Sequence, residues 1–228
     1  MAPFTNWRYD VAFPVIEVKT KKHAAELVGA LSNPSKMPGR AFGINADDCV
    51  RGSAMAKVAG SICSSCYAQK GNYIRYPAIK AAQDARLAAF HALGALQWSE
   101  AMVTLINGQT FFRWFDSGDL QSVEMLRAIF RVCRETPTVR HWLATREQKL
   151  VRETLKLESV PDNLVIRISA DFVDKAPTNT VTPWSSAVHS ETAASGAHDC
   201  PSRFQGGKCG DCRACWDPTV ATVSYKAH

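Results

Sequence analysis

Apolar and polar residues alternate in a regular order between positions 109 and 171, where strand-like runs are separated by helical repeats. The runs at 110–116, 139–145 and 163–170 are rich in β-branched and aromatic residues, which predicts three strands. Apolar residues recur at three- and four-residue steps over 120–133, and again between the second and third runs, which predicts two helices. This order is typical of a βαβαβ unit, and its short connections imply parallel strands with right-handed crossovers.

The pattern extends this unit in both directions. Pro77 suits the first turn of a helix that runs through 79–93, and a second helical stretch covers 98–106. Residues 171–208 are rich in Thr, Ser, Ala, Pro and His and weak in periodicity, which predicts a long connection, and 219–227 predicts one more strand. We therefore expect an α/β fold with helices covering a mostly parallel sheet, either open or curved into a partial (β/α) barrel, and an irregular, Cys-rich C-terminal segment.

Length and composition fit one folded domain. The chain has 228 residues, of which 46% are hydrophobic, and this is enough for a packed core without covalent staples. We expect a single α/β domain over residues 1–228, with a Cys-rich connection and metal-binding segment at 171–218 within it.

No targeting or membrane segment is recognisable. The first residues carry Asp10 and Glu17 among apolar positions and lack a small-residue cleavage site, so we expect no export signal. No window approaches the roughly 18 uninterrupted apolar residues that a membrane span requires. We expect a cytoplasmic protein with no membrane partner.

The charge is mildly basic, with 27 Lys and Arg against 21 Asp and Glu and a formal net charge of +6. These basic residues are spread along the chain rather than gathered in runs with interleaved aromatic residues. Nucleic acid is therefore a permitted partner, but the charge pattern does not indicate it.

Polar residues follow each of the three predicted strands, as Asp116-Ser117-Gly118-Asp119, Thr145-Arg146-Glu147 and Ser169-Ala170-Asp171. Ligands of parallel α/β proteins bind outside the carboxyl ends of the strands, so these residues predict a polar rim around a site. We expect three of them to be catalytic, namely Asp116, Asp119 and Arg146. We expect three others to contact a cofactor, namely Ser117, Thr145 and Glu147.

Structural alternatives exist for the same residues. Ser117, Asp119 and Glu147 also suit caps or first turns of the helices that follow the strands. Asp116 and Arg146 could instead form an ion pair with each other. A charged group at the end of an apolar strand is costly to bury unless it is paired with an opposite charge or takes part in function. Charged residues inside the strands predict one polar sheet face, or else strand edges: Arg113, Arg140, His141 and Arg167.

Seven of the eight cysteines fall into two groups. The C-terminal group is Cys200 followed by the C-x2-C-x2-C run of Cys209, Cys212 and Cys215, a spacing that lets each thiolate reach a different iron of a cubane cluster. Four thiolates also suit a structural zinc ion, so zinc remains the alternative metal.

The N-terminal group is Cys49, Cys63 and Cys66, which offers three thiolates rather than four. Three ligands leave one iron of a 4Fe-4S cluster open, so this group is the candidate reactive site and the protein holds one or two clusters. Alternatively, Cys49 is a small buried hydrophobic residue, and Cys63 and Cys66 form a redox pair or join the C-terminal cysteines around one metal. Cys133 lies on an apolar helix stripe and is assigned to the core.

Four stretches resemble a phage-encoded family, the gene 88 proteins: the C-x2-C-Y-A segment at Cys63, FRWFDSGDLQS, HWLATRE and the C-terminal CGDCRACW. The resemblance covers residues 45–228 and implies a protein of the host-cell cytoplasm. The three-Cys group followed by a βα core is also similar to radical S-adenosylmethionine enzymes, although the usual C-x3-C-x2-C spacing is absent. That similarity implies S-adenosylmethionine as a second cofactor and a rim of Asp116, Asp119 and Arg146 facing the cluster.

The leading hypothesis is an iron–sulfur enzyme, either an oxidoreductase or a radical-type catalyst, whose partners are an electron donor and a small-molecule or macromolecular substrate. The second is a zinc-stabilised phage binding module that contacts nucleic acid or a host protein. The third is a structural phage component in which a cluster staples the 171–215 connection to the core.

Overall fold

A computed structural model gives the structure of residues 16–227, so most of the N-terminal stretch in which we expect no export signal lies outside the described residues. Within them, one parallel sheet of seven strands forms the centre of the fold. The strands are β1 (Arg40–Phe42), β2 (Phe111–Trp114), β3 (Arg140–Thr145), β4 (Leu164–Ser169), β5 (Ser185–His189), β6 (His198–Asp199) and β7 (Thr222–Lys226). Their order is β1-β2-β3-β4-β5-β7-β6, and the sheet is open, with β1 and β6 at its edges.

Six α-helices accompany the strands in the described residues: α1 (Lys21–Val28), α2 (Val50–Ala56), α3 (Asn72–Arg75), α4 (Pro77–Ile106), α5 (Val123–Glu135) and α6 (Gln148–Leu155). Gly94 interrupts α4 with φ 71° and ψ 166°, which only glycine adopts readily. The predicted break between two helical stretches is therefore confirmed. No helix between residues 16 and 227 combines the length and the apolar character needed to span a membrane.

The α/β prediction is confirmed, and so are the three central strands and the two helices between them. The last predicted strand is β7, but it lies inside the sheet, between β5 and β6. The prediction that residues 171–208 form only a connection is wrong, because β5 and β6 both lie there. A strand of sequence SSAVH and one of two residues carry too little hydrophobic alternation to be recognised.

Two apolar layers cover opposite faces of the sheet. The main core joins α1, α4, α5 and α6 to side chains such as Phe42, Trp114, Leu143 and Ile166. The other face carries a smaller cluster of Trp142, Ala214, Cys215, Trp216 and Val223, in which the C-terminal segment packs on the sheet. Adjacent residues of one strand, such as Trp142 and Leu143, therefore enter different layers, as the two-residue period of a strand requires.

Cys133 is fully buried in the main core, as its position on the helix stripe predicts. The expectation of a polar sheet face is only partly met by the four charged strand residues. Arg167 and His141 are fully buried, on opposite faces, and Arg140 is exposed at the start of β3. Arg113 is half-buried and lies over the ring of Trp142.

His141 is a buried titratable group inside the main layer. Its Nε2 lies 2.9 Å from Thr136 Oγ1, and its ring stacks on Trp114 at 18° between planes. Its Nδ1 has no hydrogen-bond partner in the described residues. Burial lowers the pKa of His141 to about 3, so the ring is neutral in the folded protein.

The free energy of unfolding should therefore depend on acid through His141. The unfolded chain takes up this proton near pH 6.5 while the folded protein does not, so stability falls by about 1.4 kcal/mol per pH unit as pH drops from 6.5 towards 3. Urea unfolding of His141→Gln at pH 7.0 and 5.0 should show a smaller loss than the parent chain. The exposed His91→Gln is the control, and equal losses in all three proteins would contradict this assignment.

Candidate functional site

The three N-terminal cysteines converge at one point. Cys49 immediately precedes α2, Cys63 lies in a short 3₁₀ helix (Ile62–Ser65), and Cys66 follows that helix directly. A Cβ atom placed on Gly52 would lie 3.4 Å from Cys49 Sγ and 4.0 Å from Cys63 Sγ. The absence of a side chain at this helical position therefore leaves room for two sulfur atoms from separate segments. We call these three residues the first cysteine set.

Burial disfavours the thiolate forms of Cys49 and Cys63. Burial, followed by nearby Asp119 and the other two thiols, raises the pKa of the Cys49 thiol. Burial also raises the pKa of Cys63, with Arg146 acting in the opposite direction. Closely placed thiols that resist deprotonation are stabilised as thiolates when a metal replaces their protons.

The segment that carries this set is attached to the carboxyl ends of the strands. The Arg51 backbone N–H donates to Glu147 Oε1 over 2.8 Å, and Arg51 Nη2 donates to Asp171 Oδ2 over 2.5 Å. The Ile62 backbone N–H donates to the Asp171 carbonyl oxygen over 2.9 Å. The first cysteine set therefore lies against the predicted rim, next to the residues that follow β3 and β4.

Asp119 accepts three hydrogen bonds within this rim. Thr145 Oγ1 donates to its Oδ1 over 2.5 Å, as does the Leu120 backbone N–H over 2.8 Å, and the Arg146 backbone N–H donates to its Oδ2 over 2.9 Å. Burial raises the pKa of Asp119 to about 6, although these hydrogen bonds oppose the rise. Both carboxylate oxygens are used, so Asp119 and Thr145 join the end of β2 to the end of β3.

Three other rim atoms are buried and have no hydrogen-bond partner in the described residues: Asp116 Oδ1, Ser117 Oγ and Arg146 Nε. Phe115, immediately before Asp116, has a φ of 59°, a left-handed conformation that is costly for a phenylalanine. Buried polar atoms are almost always paired, so orphaned atoms beside a strained residue are typical of a ligand site. These residues, rather than Asp119, retain free bonding capacity.

The structural alternatives for the rim are resolved one by one. Arg146 Nε lies 3.9 Å from Asp171 Oδ1, so Arg146 faces Asp171 and not Asp116. Ser122, and neither Ser117 nor Asp119, caps α5 by accepting from the Met125 backbone N–H. Glu147 precedes α6 but makes no side-chain cap, because its carboxylate accepts from Arg51 instead.

The C-terminal cysteines gather on the face opposite the main core. Cys212 Sγ lies 3.3 Å from His198 Nε2, and Cys215 Sγ lies 3.2 Å from the Tyr225 hydroxyl. Burial raises the pKa of Cys215 to about 12, and burial with the charges of Cys200 and Cys212 raises the pKa of Cys209. The four thiols are neighbours, and we call them the second cysteine set.

Arg167 fixes the path of the segment that carries this set. It is fully buried on β4, and its guanidinium donates to carbonyl oxygens at distances of 2.8–3.3 Å, those of Ala214, Cys215, Asp217, Val220, Ala221 and Ser185. Trp216 Nε1 adds a hydrogen bond of 2.9 Å to the Phe112 carbonyl oxygen. The second set is therefore anchored to the sheet by a buried cation.

Arg113 lies between the two sets. Its Nη2 donates to the Tyr67 hydroxyl over 3.1 Å, next in sequence to Cys66. On the other side, its charge lowers the pKa of Cys215 and of Tyr225 against their larger rise from burial. The two sets are thus distinct, each with its own neighbours, and Arg113 and Tyr67 bridge them.

The donor chemistry of both sets fits a thiophilic metal. All eight cysteines are free thiols. Between residues 16 and 227, however, no group of three or more His, Cys, Asp or Glu side chains is arranged to hold a metal ion.

The sequence did not single out several residues that now border the two sets. His198 stands two positions before Cys200, a spacing that could have suggested an additional ligand. Tyr67 follows Cys66 directly, but nothing in the sequence indicated that its hydroxyl contacts Asp116 and Arg113. Arg51 gave no signal, because its partners are far away along the chain.

Comparison with known proteins identifies a family. A family model described as Gene product 88 matches residues 16–218, which is most of the chain. No curated protein and no solved structure matches the chain.

Replacing Arg167 should release the second set. Arg167→Lys keeps a cation but loses the planar group that reaches several carbonyl oxygens, so we expect the free energy of unfolding to fall by about 3 kcal/mol. Urea denaturation measures the loss, and limited proteolysis should show new cleavage within 200–221. Arg140→Lys, at the exposed start of β3, is the control. Stability within error of the parent would contradict the anchoring role.

Proposed function

The chain belongs to the Gene product 88 family, and from the geometry of its two cysteine sets we propose that it is an iron–sulfur protein that works as a redox or radical-type enzyme. One observation carries the proposal: Cys49 from one segment and the Cys63–Cys66 pair from another lie close together against the carboxyl ends of parallel strands, where this class of fold binds its ligands.

The first cysteine set is the proposed reactive centre. Three thiolates hold a 4Fe-4S cluster with one iron left without a protein ligand, so that a substrate or cofactor can reach it. The rim provides the protein's own contribution: Asp116, Ser117 and Arg146 each have a buried polar atom without a hydrogen-bond partner in the described residues, available to a ligand. S-adenosylmethionine is the cofactor we would test there.

The second cysteine set is the proposed accessory centre. Four thiolates suit a fully ligated cluster whose role is electron transfer or structure. The second set lies on the sheet face opposite the main core, and Arg113 lies between it and the rim. The redox enzyme would need an electron donor and the reducing environment of the host cytoplasm.

Zinc is the second candidate for this set. His198 Nε2 lies 3.3 Å from Cys212 Sγ, and mixed Cys and His ligands are common in structural zinc sites. A zinc ion there would make the C-terminal segment a structural module and leave the first set as the functional one.

Metal content should separate these outcomes. Protein purified without oxygen should be brown and hold about eight irons per chain with matching sulfide. Cys63→Ala and Cys212→Ala should each lose about four irons, while Cys133→Ala, in the core, should lose none. A colourless protein with about one zinc would contradict the redox proposal. Four irons plus one zinc, with the zinc lost in Cys212→Ala, would assign zinc to the second set.

Gly52 provides a test that leaves every thiol in place. A Cβ at this position would lie 2.8 Å from Cys49 Cβ, so Gly52→Ala must displace Cys49. We expect this variant to lose the iron of the first set and to keep the metal of the second. Ser53→Ala, in the same helix, should bind metal as the parent does. Full iron content in Gly52→Ala would show that the first set is not assembled around this glycine.

A further inference from the structure

The segment that carries the first cysteine set is basic. Residues 49–80 contain no acidic residue and five basic ones, namely Arg51, Lys57, Lys70, Arg75 and Lys80. Arg51 and Lys80 are paired with Asp171 and Asp47. The remaining three make no ion pair with any carboxylate in the described residues. Asp47, Asp48 and Asp84 flank this segment near Lys80, so its free positive charge is that of Lys57, Lys70 and Arg75.

Two tyrosines of this segment are held in place by hydrogen bonds of their hydroxyl groups. The hydroxyls of Tyr67 and Tyr73 both donate to the Asp116 carbonyl oxygen, over 2.6 and 3.3 Å. Their ring centroids are 6.0 Å apart, and Tyr67 is 46% exposed to solvent. Because the polar ends are anchored inward, the aromatic faces are fixed near the surface without further loss of conformational freedom on binding.

A cavity of about 460 Å³ lies against these rings, lined by Ser65, Tyr67, Lys70, Gly71, Asn72 and Tyr73. Its size is that of a small-ligand site. It offers aromatic surface for stacking, one ammonium group for a phosphate and one amide for the edge of a base. Arg75, at the end of α3, adds a second free cation close along the chain.

We propose that this face binds single-stranded nucleic acid, with a base against Tyr67 and Tyr73 and the phosphate backbone along Lys70 and Arg75. Fixed aromatic rings between free cations are the features with which proteins hold single strands. A single strand is required because the bases of a duplex are already stacked on each other and cannot reach the rings.

Binding at this face goes beyond the iron–sulfur proposal and does not depend on it. The face adjoins the first cysteine set, since Tyr67 follows Cys66 and contacts the Asp116 carbonyl oxygen at the rim. If both proposals hold, the bound strand is the macromolecular substrate. Metal content measured on the same preparations keeps failure of one distinguishable from failure of the other.

Fluorescence anisotropy with labelled single strands of about 12 nucleotides, as DNA and as RNA, tests the proposal on the full chain. Tyr67→Ala should weaken binding roughly tenfold through the lost stacking. Lys70→Ala should weaken binding and reduce the slope of log K against log salt by about 0.7, the contribution of one phosphate contact. The preferred strand, DNA or RNA, identifies the natural ligand.

Two exposed residues elsewhere serve as matched controls. Lys22→Ala on α1 removes the same charge, and Phe204→Ala, whose side chain is 76% exposed, removes an aromatic ring from the C-terminal segment. Neither should change the affinity. Absence of binding at low salt, equal loss in the controls, or equal affinity for the matching duplex would overturn the proposal. If Tyr67→Ala fails to fold, Lys70→Ala and Arg75→Ala, both on the surface, still decide it.

Discussion

A guanidinium buried between the sheet and the C-terminal segment is the interaction on which much of this structure depends. Arg167 has no carboxylate paired with it in the described residues, so backbone carbonyl oxygens of 214–221 replace its water. A buried charge is tolerated only when its donors are satisfied, and the segment must therefore follow the path that brings these oxygens together. That path places Trp216 on Trp142, delivers Cys215 to the sheet and leads β7 to its place between β5 and β6.

The opposite requirement applies at the rim. There, several buried polar atoms have no hydrogen-bond partner in the described residues, and Phe115 has a left-handed conformation. Both carboxylate oxygens of Asp119 accept hydrogen bonds that hold the ends of β2 and β3 together. A rigid frame around unsatisfied groups is the arrangement that a ligand site needs, because the ligand then completes bonds that folding did not make. The first cysteine set lies on this frame through Arg51 and Ile62.

The two cysteine sets also differ in what surrounds them. The second set lies among Trp142, Trp216 and Tyr225, on a sheet face that is closed by the C-terminal segment. The first set contains one buried cysteine and two partly buried ones, and it lies at the carboxyl ends of the strands, beside the exposed Tyr67. Arg113 and Tyr67 provide the physical connection between them.

The sequence by itself determined the α/β class, the central βαβαβ unit, the break in α4 and the grouping of the cysteines, because each depends on residues close together along the chain. Only the tertiary structure decided that Arg146 faces Asp171 and that Arg167 anchors the C-terminal segment. It also showed that both carboxylate oxygens of Asp119 accept hydrogen bonds, from Thr145 and two backbone amides. It also recovered β5 and β6, whose polar or very short sequences carry no periodic signal. The physical reason is common to these cases: a partner distant in sequence determines what a polar group does, and only folding brings that partner within hydrogen-bond distance.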